Sequence, residues 1–412
     1  MWICTNRATS MTSHSLKIPC VRASPSHGLP CCIFICTVLS PMAFPAWLCW
    51  QRAISPSTHG QKPIMQRLIS SCVGMRIPMP ACQFWNRLLK LAGWTCRNFT
   101  AARQLMSDKL MEAASTAVGA VEFIDGHAVE TLHRDYRTAY RIEEELLHDK
   151  SDEQELFLFK NNFFGTMLML DGVTQLTTSD EPFYHEFITH LPLICHGSAK
   201  RMLVVGAGDG GVIREACRHA DLQHIDMVEI DEAVVRFSKE HLPSLSAGAF
   251  EDPRLNLVIA DAAEYVRNYD GPAYDVVVVD STDPFGPAAP LFEVGFYQDL
   301  RRIMGERGIL ITQCGNPFVQ PAELELAGGR LKECFPVMSP VMITVPTYTG
   351  GQMSLGFASK DPNFKLPSKT QIAEKIAAIA PADKFLVLNE DVFLACFALP
   401  NFVRMAGFHP IT

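Results

Sequence analysis

Hydrophobic and polar positions change their period along the chain, and each period predicts a type of secondary structure. Residues 155–159 and 163–169 are strand-like, and the asparagines between them predict the turn of a β-hairpin. Residues 170–175 add another turn and the start of a further strand. We therefore expect a small antiparallel β unit in this part of the chain.

Beyond residue 193, short apolar runs alternate with stretches of helical spacing. The apolar runs lie at 202–205, 224–230, 255–260, 276–279 and 308–313. Such runs are typical of parallel strands buried on both faces, and the stretches that join them predict crossover helices. Residues 321–334 and 369–379 predict two further helices, and residues 341–358 predict a hairpin. The expected fold class is α/β with a mostly parallel sheet.

A helix should precede the first of these runs. Residues 179–192 predict it, with Ser179 or Asp180 as the N-cap. Tyr184 and His185 lie near its start, where they could face a ligand cleft. A single histidine is more often structural than functional, so a role for His185 needs support from its surroundings.

Residues 206–211 form a glycine-rich loop between an apolar run and a helical stretch. The glycines at 206, 208 and 211 match the spacing with which a backbone turns sharply, approaches a nucleotide and begins a helix. The loop alone is equally compatible with a turn that binds nothing. Glu229 and Asp231 end the next predicted strand, about 20 residues further on, where a carboxylate binds ribose hydroxyls. Together these features favour a nucleoside site over a solvated acidic turn.

Asp209 lies inside that loop and restricts the ligand that the loop can hold. A fixed negative charge there would repel the carboxylate of an amino-acid-bearing nucleoside at close range. We therefore expect a cationic ligand that lacks this carboxylate.

Acidic residues also follow the third and the fourth apolar run. Asp261 suits an adenine amino group or, equally, the cap of a helix that begins near Ala262. Asp280 and Asp283 follow the fourth run, and the carboxyl ends of parallel strands line the ligand crevice of such sheets. Two carboxylates this close together can bind a diammonium chain, and one can take a proton from an amine that acts as nucleophile. The alternative is an Asx turn before Pro284 without a catalytic role.

Composition divides the chain into two unlike parts. No Asp or Glu occurs before Asp108, although eleven Lys and Arg do, together with all five Trp and nine of the 14 Cys. The later part of the chain contains the other 25 Lys and Arg and all 44 Asp and Glu, so its net charge is negative. This charge argues against general binding of nucleic acid. The five scattered Cys of this part lack metal-ligand spacing and predict a reduced, cytoplasmic protein.

Four accounts of residues 1–107 remain open. The segment resembles an organelle transit peptide because it lacks acidic residues, although Cys and Trp are atypical of one. Residues 29–50 are uncharged and long enough to cross a bilayer, but prolines interrupt them. The nine Cys also suit a disulfide-rich module with one thiol unpaired. We favour a start assigned too far upstream, with Met106 or Met111 as the beginning, because no periodic segment occurs here.

The expected domains are therefore an anomalous leader at 1–107, a small β domain at 108–192 and an α/β domain at 193–412. The leader contributes nothing to the functional interpretation.

Six motifs give the later part of the chain a family resemblance. They are Leu170-Asp-Gly-Val-Thr-Gln175, Tyr184-His-Glu186, Gly206-Ala-Gly-Asp-Gly-Gly211, Val228-Glu-Ile-Asp231, Asp280-Ser-Thr-Asp-Pro-Phe-Gly-Pro287 and Pro346-Thr-Tyr348. The sequence resembles the spermidine synthases, which are polyamine aminopropyltransferases, and the bacterial form more closely than the animal one. The resemblance runs from about residue 140 to 358 and again through 396–401.

The resemblance implies both a fold and a reaction. The fold is a small antiparallel β domain followed by a Rossmann-like, methyltransferase-type domain. The reaction is transfer of an aminopropyl group from decarboxylated S-adenosylmethionine to putrescine, which yields spermidine and methylthioadenosine. The donor is a cosubstrate, and neither a cofactor nor a metal is expected. Family members commonly form dimers or tetramers, and the expected partners are these small molecules, without nucleic acid or membrane.

The resemblance also assigns individual residues to the two substrates. The residues that look like the donor site are Gln154, Asp209, Glu229, Asp261 and Ala262. Among them Glu229 would hold the ribose, Asp261 the adenine and Asp209 the aminopropyl amine. Asp280 looks like the proton acceptor. The polyamine groove would comprise Tyr184, His185, Asp280, Asp283, Pro287 and Tyr348.

One departure from the family and three alternative functions bear on this interpretation. Ala207 stands where the family usually has glycine, a change that is tolerated if its φ is negative. An amine N-methyltransferase that uses ordinary S-adenosylmethionine is possible on the same scaffold, but Asp209 speaks against it. A non-catalytic nucleoside-binding protein would lack the proton acceptor, whereas Asp280 is present. A membrane-anchored form would depend on residues 29–50.

Overall fold

The computed structural model describes residues 120–133, 135–284, 286–379 and 384–411. The predictions for residues 1–107 lie outside this part of the chain. Within the described residues no helix combines the length and the apolar character needed to cross a membrane. The five cysteines found there are all free thiols.

The small β unit consists of two antiparallel sheets, whereas the sequence suggested one. Strands β1 (Glu122–Ile124), β2 (His127–His133) and β3 (Tyr136–Arg141) form the first. Strands β4 (Glu144–Lys150), β5 (Glu155–Asn161), β6 (Gly165–Leu170) and β7 (Val173–Thr177) form the second, in that order. Both predicted turns are present: the Asn161 side chain accepts hydrogen bonds from Phe163 and Phe164, and Asp171 and Gly172 have the positive φ of a two-residue hairpin turn.

A seven-stranded sheet forms the centre of the α/β part, as predicted. Its strands are β8 (Arg201–Gly206), β9 (His224–Glu229), β10 (Leu255–Ile259), β11 (Tyr274–Asp280), β12 (Met304–Gln313), β13 (Val337–Thr344) and β14 (Gln352–Ser359). The spatial order is β10-β9-β8-β11-β12-β14-β13, with five parallel strands followed by an antiparallel pair.

Helices cover both faces of this sheet. They are α1 (Pro182–His196), α2 (Gly211–Cys217), α3 (Glu232–His241), α4 (Pro243–Ser246), α5 (Ala262–Asn268), α6 (Val294–Ile303), α7 (Pro321–Cys334), α8 (Lys369–Ile379), α9 (Glu390–Ala395) and α10 (Asn401–Met405). The valines of β11 explain the continuous apolar run at 276–279. Val276 and Val278 pack into the core under α1 and α2, and Val277 and Val279 pack into the core under α5, α6 and α7.

Helix α1 begins later than the sequence predicted, and the prediction of Ser179 or Asp180 as its N-cap is wrong. The N-cap is Glu181, whose side chain makes no capping hydrogen bond, and Pro182 occupies the first turn. The Asp180 carboxylate instead accepts hydrogen bonds from the Thr177 hydroxyl at 2.6 Å and from the backbone N–H of Thr347 at 2.8 Å. A contact distant in sequence therefore uses the carboxylate that local sequence rules assigned to the cap.

Strand β5 connects the small unit to the α/β part, because its side chains are buried on both faces. Leu156 and Leu158 pack with residues of α3 and α4, whereas Phe157 and Phe159 pack in a second core together with Tyr140. This packing sets the small sheet beside the helix that follows β9.

Candidate active site

A cleft opens where the strand order reverses. Strands β8 and β11 are neighbours in the sheet, and Gly206 at the end of β8 pairs with Asp280 at the end of β11. In open α/β sheets the ligand crevice lies at this point. Every residue that the sequence assigned to the donor or the acceptor lines this cleft: Gln154, Tyr184, His185, Asp209, Glu229, Asp261, Ala262, Asp280, Asp283, Pro287 and Tyr348.

The glycine-rich loop is pressed against the end of β11. Gly206 has φ 78, and a Cβ atom there would lie 2.1 Å from the Asp280 carbonyl oxygen, so no larger residue fits. The next N–H, that of Ala207, donates to the same oxygen at 3.1 Å. The condition under which alanine would be tolerated here without strain, a negative φ, is not met, because the φ of Ala207 is 63. Ala207 therefore has a left-handed backbone conformation that favours glycine, and this conformation costs about 1 to 2 kcal/mol for a residue with a Cβ atom.

Asp209 is held from two sides at the start of α2. Its Oδ1 atom accepts the backbone N–H of Gly211 at 2.6 Å and lies 3.5 Å from His185 Nε2. Burial alone would raise the pKa of Asp209, but the charge and hydrogen bond of His185 and the Gly211 N–H outweigh it and lower the pKa below the usual value. Asp209 is therefore an anion that can bind a cationic ligand.

The pKa of Asp280 is shifted upward, in the direction opposite to that of Asp209. The Tyr184 hydroxyl donates to Asp280 Oδ1 at 2.7 Å. Burial and the nearby charge of Asp209 raise the pKa of Asp280 to about 6, against the opposing effects of His185 and Tyr184. A carboxylate with this pKa is ionised at neutral pH and can still take up a proton from a bound amine.

The side of the cleft at the ends of β9 and β10 carries further acidic groups. Glu229 is buried, accepts the backbone N–H of Asp231 at 2.9 Å, and has its pKa raised to about 7 chiefly by burial. Gln154 donates to the Asp231 carboxylate at 3.1 Å. Asp261 caps α5 by accepting from the backbone N–H of Ala263 at 2.7 Å, and it also lines the cleft. The cap predicted for Asp261 is thus confirmed, and its exposed position also leaves it free to contact a ligand.

The side of the cleft that contains Asp283 includes two tyrosine rings. The rings of Tyr184 and Tyr348 lie 5.9 Å apart between centroids, and the Tyr348 hydroxyl is fixed by the carbonyl oxygen of Gln175 at 2.8 Å. Asp283 accepts the side-chain N–H of Gln320 at 2.9 Å, and burial raises its pKa. An extended chain with a charged end would fit between these groups.

Sequence reasoning missed Glu130, which also lines this cleft. Glu130 comes from β2 and accepts the backbone N–H of Thr174 at 2.7 Å and the hydroxyl of Thr349. Burial raises its pKa to about 7, although the Thr349 hydrogen bond opposes this shift. A single acidic residue in a short strand gives no signal in the sequence, since only the fold brings it to Asp283.

Gln313 was missed as well, although a signal existed. It ends the parallel strand β12, is buried and lines the cleft, and donates to the Thr282 carbonyl oxygen at 3.1 Å. The rule that singled out Asp280, a polar residue at the carboxyl end of a parallel strand, would have found it.

Three of these side chains could hold a cation together. Ligand atoms of His185, Asp209 and Asp280 all lie within 4.8 Å of one another, and in the described part of the chain this is the cluster suited to a metal ion. Both ring nitrogens of His185 already face carboxylates, those of Glu181 and Asp209. The arrangement therefore suits a protonated imidazole and ammonium groups better than a metal ligand.

Two family models match adjacent parts of the chain. Residues 129–178 match the spermidine synthase tetramerisation domain, and residues 181–368 match the spermine/spermidine synthase domain.

Curated relatives and solved structures that resemble the chain belong to the same family. A polyamine aminopropyltransferase of Ruegeria sp. is 42% identical over 275 residues, which is 67% of this chain and 96% of the relative. That of Pseudomonas syringae pv. tomato is 41% identical over 278 residues, again 67% and 96%. The crystal structure of a spermidine synthase in complex with the transition-state analogue AdoDATO matches with a TM-score of 0.62 and 34% identity, covering 66% of this chain and 92% of the other. For the spermidine synthase of Thermotoga maritima the TM-score is 0.60 and the identity 32%, covering 67% and 91%.

Proposed function

Because the chain belongs to the family of polyamine aminopropyltransferases, we propose that it is a spermidine synthase. It transfers the aminopropyl group of decarboxylated S-adenosylmethionine to putrescine and releases spermidine and methylthioadenosine. The observation that carries this function is the pair Asp209 and Asp280, two neighbouring carboxylates with pKa values shifted in opposite directions. One is suited to hold a cation, and the other to accept a proton.

The donor binds on the side of β9 and β10. Glu229 accepts the ribose hydroxyls, Asp261 lies at the adenine, and Gln154 and Ala262 complete this wall. Asp209 receives the ammonium group of the aminopropyl chain. Ordinary S-adenosylmethionine would place its carboxylate near this anion and be repelled.

The acceptor lies between the rings of Tyr184 and Tyr348, with Pro287 beside it. Its distal ammonium group binds at Asp283 and Glu130, two buried acidic groups, where the charge of Asp283 contributes to the raised pKa of Glu130. Its other nitrogen faces Asp280. This assignment gives the two ends of a symmetric diamine different environments, one that keeps the charge and one that removes it.

The reaction is an in-line displacement. The putrescine nitrogen loses a proton to Asp280 and attacks the carbon beside the sulfonium; the new C–N bond forms as the C–S bond breaks, and the sulfur leaves with the electron pair as a neutral thioether. A free amine has a pKa of about 10, so most acceptor molecules arrive protonated. Alignment of the nitrogen with the C–S bond by the tyrosine walls supplies much of the rate.

Assembly, location and cofactor use follow the family. The match of residues 129–178 to a tetramerisation domain supports a homotetramer or homodimer. Exposed Phe123, Ile124 and Tyr136 on the β1–β3 sheet offer apolar area for such an assembly. We expect a cytoplasmic enzyme that uses no cofactor besides its cosubstrate.

The direct test follows both products by mass spectrometry after incubation of the full chain with putrescine and decarboxylated S-adenosylmethionine. Spermidine and methylthioadenosine should appear in equal amounts. Asp280→Asn keeps the size of the side chain and removes the proton acceptor, so the rate should fall by about 10²- to 10⁴-fold. Methylthioadenosine without spermidine, or full activity in Asp280→Asn, would contradict the assignment.

A further inference from the structure

A series of charged side chains in contact with one another runs from Asp209 through His185 and Glu181 to Arg214. Arg214 on α2 makes two parallel hydrogen bonds to Glu181, with Nη1–Oε1 and Nη2–Oε2 distances of 2.8 Å each. Glu181 Oε2 lies 2.7 Å from His185 Nδ1, and His185 Nε2 lies 3.5 Å from Asp209 Oδ1. The side chains of Glu181 and His185 are 8% and 3% exposed, so water contributes little to their solvation. No sequence motif had assigned a role to Glu181 or Arg214.

The His185 ring is fixed in place by packing as well as by these contacts. A Cβ atom at Gly211 would lie 2.3 Å from His185 Cε1, so the ring rests directly on the first residue of α2. The third glycine of the loop therefore makes room for this imidazole. The Tyr184 ring makes an edge contact with the His185 ring, with the two ring centroids 5.7 Å apart.

The two contacts of the ring decide its charge. A neutral imidazole carries one N–H, so it can donate to one carboxylate only and would turn a lone pair toward the other. An imidazolium donates to both Glu181 and Asp209. Burial alone lowers the pKa of His185, but the charges and hydrogen bonds of Asp209 and Glu181 prevail and raise it to about 10.

We infer that Glu181, anchored by Arg214, is a positioning residue that holds His185 as an imidazolium and thereby allows Asp209 and Asp280 to be ionised together. This inference rests on the proposed function, since it explains how one carboxylate can bind the donor amine while its neighbour accepts a proton. Two close carboxylates without a cation would share a proton, because like charges at short range disfavour double ionisation.

The groups that face Asp280 are few. Asp209 and His185 act on it with opposite signs, and the Tyr184 hydroxyl donates to it. The negative charge of Asp280 also contributes to the raised pKa values of Tyr348 and Glu229. His185 is the cation in this set, so removing its charge should make Asp280 harder to ionise.

The charge of His185 can be measured directly on the free enzyme. Histidine labelled with ¹³C is titrated by NMR between about pH 5 and pH 9, a range that includes the interval of about pH 5 to 8 in which an unperturbed histidine changes its charge. The His185 signal is identified by its absence in His185→Gln. It should remain that of an imidazolium through this range, and in Glu181→Gln its midpoint should fall by about two pH units. A wild-type midpoint near 6.5, or an unchanged midpoint in Glu181→Gln, would overturn the inference.

The kinetic consequence has a matched control on the same helix. In His185→Gln the acid limb of spermidine formation should move up by about one pH unit, because Asp280 loses a neighbouring positive charge. His196 is also buried on α1, and its Nε2 atom lies 3.8 Å from Asp275 Oδ1, away from the cleft lining, so His196→Gln should leave the limb in place. A lower rate in His185→Gln with the limb unmoved would mean that His185 is only structural. The NMR titration needs no turnover, so a lack of spermidine would count against the proposed function alone.

Discussion

At the scale of single residues, two neighbouring buried carboxylates have pKa values that are shifted in opposite directions. Burial raises the pKa of Asp209 and of Asp280, yet the net shift is downward for Asp209 and upward for Asp280. The difference lies in their partners, because His185 and a backbone N–H contact Asp209, whereas Asp280 faces the charge of Asp209. The residue types were visible in the sequence, but this division of roles depends on distances that only the fold defines.

The pH dependence of the reaction should reflect Asp280. In the proposed function its ionised form accepts the proton, so activity should be present above a pH of about 6 and decline as the pH falls through that value. Tyr184→Phe removes a hydrogen bond that favours the ionised form, so the acid limb of kcat/KM should move to higher pH, by up to about one unit. Rate profiles of both proteins between about pH 5 and pH 8 test this. A limb that moves to lower pH would contradict the assigned hydrogen bond.

Ala207 should be a site of stored strain. Ala207→Gly removes the Cβ atom from a residue with φ 63 and should increase the free energy of unfolding by about 1 kcal/mol. Urea denaturation of the two proteins gives the difference. Ala233→Gly is the matched control, because Ala233 lies in α3 and the same change there should destabilise by a similar amount. If both variants lose stability alike, Ala207 does not have the left-handed conformation.

At the scale of elements, hydrophobic periodicity predicted the large sheet well. The bounds expected for α7 and α8 agree with the structure, and each apolar run became a strand of the sheet. The start of α1 could not be predicted, because Asp180 is engaged by Thr347, a residue far along the chain. Capping rules consider only hydrogen bonds between residues that are close in sequence, whereas the Asp180 carboxylate binds a backbone N–H that is distant in sequence.

Glu186 illustrates how a residue in a family motif can serve the fold. Its carboxylate accepts the backbone N–H groups of Leu386, Val387 and Leu388 at 2.7 to 3.0 Å and thus attaches the C-terminal segment to α1. Glu186→Ala should lower the free energy of unfolding by about 2 to 4 kcal/mol, because the buried N–H of Leu388 and the partly buried hydrogen bonds of Leu386 and Val387 lose their acceptor.

Thermal and urea denaturation measure that loss, and kinetics well below the melting temperature serve as the control. There, the KM values for both substrates should stay within about threefold of the wild type, since Glu186 is absent from the cleft lining. A normal stability combined with a large rise in the KM for the donor would place Glu186 in the site instead.

At the scale of the whole molecule, the cleft joins parts of the chain that are far apart in sequence. Glu130 of the small unit meets Thr349 of the β13–β14 loop, and Tyr140 donates to the Thr347 carbonyl oxygen at 2.6 Å. The motifs predicted the residues at the strand ends, because parallel strands bring their carboxyl ends together. They could not predict that Glu130 lines the same cleft, because its position depends on how the small unit docks.

The measurement that tests the central claim most directly is a competition between the two donors. The full chain is incubated with putrescine and equal amounts of decarboxylated and ordinary S-adenosylmethionine, and the products are separated by mass. We predict spermidine and no methylated putrescine, because in the proposed function Asp209 binds the donor ammonium group and its negative charge repels a carboxylate. Asp209→Asn should weaken this preference. Methylated putrescine from the wild-type enzyme would contradict the account and identify an amine N-methyltransferase on the same scaffold.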